Sequence, residues 1–141
     1  MPIPELYQAR ESNNRIFSVL GISMHTDLEE IARTDGRFHP SALKFVYEGL
    51  GYLKSKKKSP SDAAHVSGGD LCCALKDLAI EKWGRLALLV LDSWGVKSTR
   101  DFGEIVYLMI QHKWMSAQPA DSIGDFDNVY DFKTVFKNAE F

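Results

Sequence analysis

Between Ser67 and Met115 the apolar positions recur at helical spacing in three consecutive blocks, with a start or stop residue at almost every end. The first block opens at Ser67, whose hydroxyl can accept a backbone N–H while Asp70, three residues on, answers as a variant capping box. Leu71, Cys72, Leu75, Leu78, Ala79 and Trp83 then fall on one arc of a 3.6-residue wheel, and Lys76, Asp77 and Glu81 fall outside it. Gly84 ends this helix, because glycine reaches the left-handed backbone conformation that closes a helix without steric cost. The second block, Arg85 to Trp94, contains the unbroken apolar run from Leu86 to Leu91. Periodicity alone does not separate a buried helix from a buried strand there. Leucine and alanine favour helix, and Gly95 supplies the next stop. The third block begins at Ser98 or Thr99, carries Asp101 in its first turn, and presents Phe102, Ile105, Val106, Met109 and Ile110 as its buried stripe. Gly103 lies beside that stripe at a cost of about 1 kcal/mol relative to alanine, which points to close approach of another backbone.

Outside this segment the pattern is weaker. Pro4 to Leu20 is interrupted by Ser12, Asn13 and Asn14, so residues 1–25 read as an N-terminal extension or arm packed on a single helical domain spanning 26–141. Thr26 with Glu29 predicts a capping box opening a short helix through Leu28 and Ile31. Pro40 suits the first turn of a further helix carrying Leu43, Val46, Tyr47 and Leu50, weakened by Gly49 and Gly51. Lys54 to Lys58 leads into Ser59-Pro60-Ser61-Asp62, an exposed loop. After Lys113 two short strands around Trp114 and around Val129–Phe132 would form a C-terminal β-hairpin. The alternative is a short capped helix over Asp131 to Lys137 that buries Phe132, Val135 and Phe136. The expected class is therefore mainly α, with a helix-turn-helix-like core around Gly95 and a short hairpin that would make it α+β.

Composition fits this picture: 45% hydrophobic and 26% charged residues over 141 positions suffice for one core. A formal charge of −2 argues against a dedicated polyanion binder. No apolar run approaches the ~18 residues of a membrane span, and Met1 to Tyr7 lacks signal-peptide character, so a cytoplasmic protein without membrane association is expected. Cys72 and Cys73 are adjacent. Their Cα atoms lie about 3.8 Å apart, too close for a disulfide, so Cys72 is read as core and Cys73 as its shoulder.

The order Arg37-Phe38-His39-Pro40, His65-Val66-Ser67-Gly68, Trp94-Gly95-Val96, Thr99-Arg100-Asp101-Phe102-Gly103 and Val129-Tyr130-Asp131-Phe132 resembles a family of short uncharacterised bacterial proteins provisionally labelled Minf. The resemblance covers roughly Leu28 to Phe136 and departs from the family at Gly69 and Asp70, where longer polar side chains are usual. The segment before Met24 is an extension to it. The family has no assigned activity, so the resemblance supports a single domain and transfers no site.

Candidate chemistry is sparse. Ser67, Gly68 and Gly69 at a helix start, with His65 nearby, form a candidate anion site, because orphan N–H groups and the positive end of the helix dipole meet there. Asp70 already occupies that position with negative charge. His65 and Ser67 as base and nucleophile lack a third orienting group. His25, His39, His65 and His112 have no zinc-site spacing, and Asp121, Asp125, Asp127 and Asp131 lack the glycine and terminal glutamate of an EF-hand. No catalytic residue, metal or cofactor is assigned, and the protein is read as a non-enzyme.

Ile80, Tyr107 and Leu108 lie off the main apolar arcs of their helices and form a candidate partner surface. Such two-faced helices either are surrounded by other elements or dock to another chain. The expected function is therefore a small protein–protein interaction module that contacts an unknown protein or another copy of itself. The alternative is a winged-helix-like nucleic-acid binder, disfavoured because Arg85, Lys97, Arg100 and Lys113 are opposed by Asp92, Asp101 and Glu104 rather than clustered. A basic concave face would favour the nucleic-acid binder, an apolar patch including Tyr107 or Ile80 a protein partner, and a deep polar pocket at His65 catalysis.

Overall fold

The computed structural model describes residues 27–56, 67–115 and 121–137. The expected N-terminal arm, Thr26 and His65 lie outside these residues. Among the described residues the chain is mainly helical and has no strand. The elements are α1 (Leu28–Asp35), α2 (Pro40–Lys56), α3 (Gly68–Trp83), a 3-10 turn (Gly84–Leu86), α4 (Ala87–Ser93), α5 (Thr99–Gln111), a second 3-10 turn (Ile123–Phe126) and α6 (Phe132–Lys137).

Local chemistry accounts for most of the boundaries. Asp27, one residue after the expected Thr26, caps α1 by accepting the Glu29 amide, and Gly36 closes it at φ 79° with its N–H on the Ala32 carbonyl. His39 precedes Pro40 and accepts the Ser41 amide on Nδ1 at 3.0 Å, so an imidazole serves as the cap of α2. α2 continues to Lys56, and the loop expected at Ser59 to Asp62 lies outside the described residues. At the start of α3 the expected capping box is complete: the Asp70 amide donates to Ser67 Oγ at 3.0 Å and the Ser67 amide to Asp70 Oδ2 at 3.1 Å. Gly84 does break the helix, with φ 51° but ψ −121°, outside the left-handed helical region and open only to glycine. α4 ends at Gly95, φ 87°, where Val96 N–H returns to the Leu91 carbonyl and Gly95 N–H to that of Asp92, a Schellman closure.

The C-terminal hairpin is not formed by the described residues. Asp131 instead accepts the Thr134 amide at 3.0 Å and its hydroxyl at 2.9 Å, which caps α6, so Phe132 and Phe136 enter the core as helical residues and Val135 packs beside them.

α2 packs along α3, α1 lies on α2, and α5 rests against both α2 and α3. α4 is a short outer helix that touches α3 and α6. Gly49 allows the tight α2–α3 approach, since a methyl there would collide with the Leu75 side chain. Phe45, Trp83 and Trp94 form an aromatic cluster joining α2, α3 and the end of α4, with ring centroids 5.1–6.0 Å apart.

Gly103 answers to a ring rather than to the backbone anticipated for it. Phe126, 1% exposed, is seated between α3 and α5 so closely that a Cβ on Gly103 would lie 2.7 Å from its Cβ and Cγ, and a Cβ on Gly68 would lie 3.0 Å from Cε2. Replacing Gly103 by Ala is expected to cost about 1–3 kcal/mol through overpacking. Truncating Phe126 to Ala should cost about 3–5 kcal/mol through cavity formation. Urea unfolding midpoints of the two variants measure both; an unchanged midpoint for Gly103→Ala would contradict the close fit.

Candidate functional site

Thr99, the first residue of α5, is the buried polar residue of the described core. Its hydroxyl donates to the Phe126 carbonyl at 2.7 Å and accepts the Val129 amide at 3.2 Å, which ties the second 3-10 turn and the segment after it to α5. Beside it lies a polar cleft of about 300 Å³ whose wall includes Lys97, Ser98, Arg100, Asp127, Asn128 and Asp131. Arg100 donates through Nε to Glu104 at 3.0 Å and through Nη1 to Asp127 at 2.9 Å. Glu104 also receives Arg37 Nη1 at 2.9 Å, and Arg37 holds Asp35 through Nε at the same distance. Lys97 pairs with Asp92, and its backbone amide donates to Asp101 at 2.7 Å.

This is a chain of alternating charges that neutralise one another. The hydrogen bonds from Arg37 and then Arg100 hold the Glu104 carboxyl below its ordinary value, and the carboxylates in turn raise both guanidinium values. Its members cross-link the α1–α2 turn, α5 and the second 3-10 turn, at half-exposed positions where each pair contributes modestly. Among the described residues no group of His, Cys, Asp and Glu is arranged to hold a metal ion.

At the candidate anion site the capping box is formed, and His65 lies outside the described residues. The Ser67 hydroxyl and the Asp70 carboxylate are engaged with each other's amides, and Gly68 is packed against Phe126 and Asp125. A methyl group added at Gly69 would meet Ser67 Oγ at 3.7 Å, an ordinary van der Waals contact.

The residues of the candidate partner surface lie in or against the core. Leu108 is buried at 7% exposure, and Ile80 and Tyr107 are half-buried against the core. Their helices are two-faced because other elements surround them: α5 is covered by α2, by α3 and by the second 3-10 turn. Tyr107 carries its hydroxyl into that packing without a hydrogen-bond partner among the described residues, and burial raises its ionisation above the usual phenol range.

The residues that do stand out are Leu86 and Leu89, 59% and 65% exposed. Both belong to the apolar run expected to be buried. Six consecutive apolar residues at 100° per residue surround a helix completely, and a helix lying on the outside of a bundle has no neighbour for one side. Ala87 and Leu91 face inward, Leu88 is half-buried, and Leu86 and Leu89 are left outside. Leu88 and Leu89, with Arg85, Asp92 and Lys133 of α6, line a shallow groove of about 400 Å³. The length of the run relative to the shortness of the helix was the signal for this surface.

Two expected outcomes follow from the buried hydroxyl and the charge chain. Thr99→Val leaves the Phe126 carbonyl and the Val129 amide without their partner and should destabilise by about 1–3 kcal/mol, read from thermal unfolding. Glu104 has a folded value depressed below the unfolded one of about 4.3, so its contribution is complete above that pH and is lost as pH falls through the folded value. Glu104→Gln should therefore flatten the fall of the urea midpoint on acidification below about pH 5, while leaving neutral-pH behaviour of the remaining carboxylates in place. The chain matches no protein family model, no curated protein and no solved structure.

Proposed function

We propose that this protein is a non-catalytic interaction module that docks another protein through the outer face of α4. The observation that carries the reading is the pair Leu86, last residue of the first 3-10 turn, and Leu89 on α4, large apolar side chains more than half exposed, with Leu89 bordered by Arg85, Asp92 and Lys133. An apolar centre with a charged rim is the general anatomy of a docking patch, and leucines held on a helix present it with little entropy left to lose. The α4–Gly95–α5 segment keeps the order of a helix-turn-helix. Its cations Lys97 and Arg100 are engaged by Asp92, Glu104 and Asp127, which favours packing over phosphate contact.

A double variant Leu86→Ser, Leu89→Ser tests this reading. Both side chains lie outside the core, so the thermal midpoint should stay close to that of the parent, with a change of about 0.5 kcal/mol or less. Photo-cross-linking from Ser93, at the end of the same helix, should give protein adducts in cells with the parent and lose them with the double variant. Adducts that persist unchanged would remove α4 as the docking face.

A further inference from the structure

His39 is held at three points where the α1–α2 turn meets the α4–α5 turn. Its backbone amide donates to the Trp94 carbonyl at 3.1 Å, its ring lies 20° from parallel to the Trp94 ring, and its Nδ1 accepts the Ser41 amide at 3.0 Å. The two turns approach closely: a Cβ on Gly95 would lie 2.7 Å from the Arg37 carbonyl oxygen. A capping side chain accepts through a lone pair, and the usual caps, serine, threonine, asparagine and aspartate, keep theirs at neutral and mildly acidic pH. Histidine does not. Neutral imidazole has one ring nitrogen that accepts, whereas imidazolium donates from both. The Ser41 bond therefore fixes the tautomer with the hydrogen on Nε2, and a proton added at Nδ1 would set donor against donor.

We infer that this contact is a proton-operated latch: neutral His39 holds the two turns together, and protonation at Nδ1 releases the Ser41 amide and swings the ring off Trp94. The surroundings oppose the cation. The ring stands at the N-terminus of α2, a helix of 17 residues whose dipole is positive at that end. The charged residues of the segments that meet there are Asp35 and Arg37 at the α1–α2 turn, Lys44 on α2, Asp92 and Lys97 on either side of Trp94 and Gly95, and Glu104 of α5, which receives Arg37. Arg37 is paired with Asp35 and Glu104, Lys97 with Asp92 and Lys44 with Glu29, and among the described residues no carboxylate pairs with the imidazole. Trp94 would attract a cation over its face, but the 6.4 Å between ring centroids lies beyond the ~6 Å reach of that attraction. The open turn thus takes up the proton more readily than the closed one, so closure is favoured as pH rises and is lost as pH falls through the imidazole range. The latch stands apart from the docking reading above, because it acts whatever α4 meets.

Heteronuclear NMR of the full chain, titrated from about pH 8 to about pH 5, tests the latch. At the alkaline end the His39 ring should show the Nε2–H tautomer. On acidification the Ser41 amide, the Trp94 indole and the His39 ring should move along one titration curve. Hydrogen-exchange protection of Ser41, corrected for the intrinsic rate, should fall about fivefold, the loss expected of an ordinary N-cap. His39→Asn places an amide oxygen at the same remove from Cβ as Nδ1 and carries no titrating group. That variant should keep Ser41 protected across the range and abolish the titration of Ser41 and Trp94. His39→Phe, which keeps an aromatic ring beside Trp94 and has no acceptor, should leave Ser41 unprotected at both ends of the range. A Ser41 amide that stays fixed while the ring titrates, or one that titrates equally in His39→Asn, overturns the inference. So does the Nδ1–H tautomer at the alkaline end, or a ring that stays neutral throughout.

Discussion

The seating of Phe126 between α3 and α5 is the contact on which the packing of the C-terminal third depends. The ring can enter only because Gly68 and Gly103 leave their sides bare, and it is held there by its own backbone, whose carbonyl accepts the Thr99 hydroxyl. Apolar burial and a buried hydrogen bond thus act on the same residue. Losing either loosens the other, because the ring is oriented by the turn and the turn is held by the ring. The second 3-10 turn, itself capped by Ser122 and Asp125, delivers Phe126 to this slot, and the chain then runs past Val129 and Tyr130 into α6. α6 in turn packs on α4, so the short outer helix that exposes Leu86 and Leu89 is supported from beneath by the same arrangement.

The helices from Ser67 to Gln111 were legible in the sequence because their ends are written in residues with a local mechanism. Ser67 and Asp70 satisfy each other's backbone amides, and Gly84 and Gly95 adopt backbone angles that other residues avoid. The end of α5 uses the same Schellman bonds, from Trp114 to Met109 and from Lys113 to Ile110, but places Lys113 at φ 67°. No sequence rule nominates a lysine for that position, so this stop was hidden. Phe126 was hidden for a similar reason. It lies in an acidic stretch that reads as loop, and its partners Gly68, Thr99 and Gly103 are far away in the chain. The hairpin expectation rested on the short apolar stretches around Trp114 and Val129, while the decisive residue was Asp131, whose carboxylate caps the alternative helix that the sequence also allowed.

The site was legible to a lesser degree. Apolar residues off the main arc were the right signal, but the sequence does not say which side of a helix the neighbours cover. On α5 they cover Leu108 and most of Tyr107; at the first 3-10 turn and α4 they leave Leu86 and Leu89 open. Buried helices and docking helices therefore share a pattern, and only the three-dimensional position of the element distinguishes them. The charged residues do not divide in this way. Those around α5 are consumed in mutual pairing, and Asp92 beside the apolar groove is likewise paired, with Lys97.

The adjacent cysteines Cys72 and Cys73 have unlike fates beside Tyr130. Its hydroxyl donates to the Cys72 carbonyl at 2.6 Å, and the surrounding packing buries the Cys72 thiol, whose ionisation is pushed up to about 12. Cys73, one residue further along the same turn, is exposed. Since the thiolate is the reactive form, an alkylating reagent meets one nucleophile in the folded chain and two in the unfolded chain. The doublet thus acts as a built-in reporter of global opening: the second equivalent of label is taken up only at the rate at which α3 gives way.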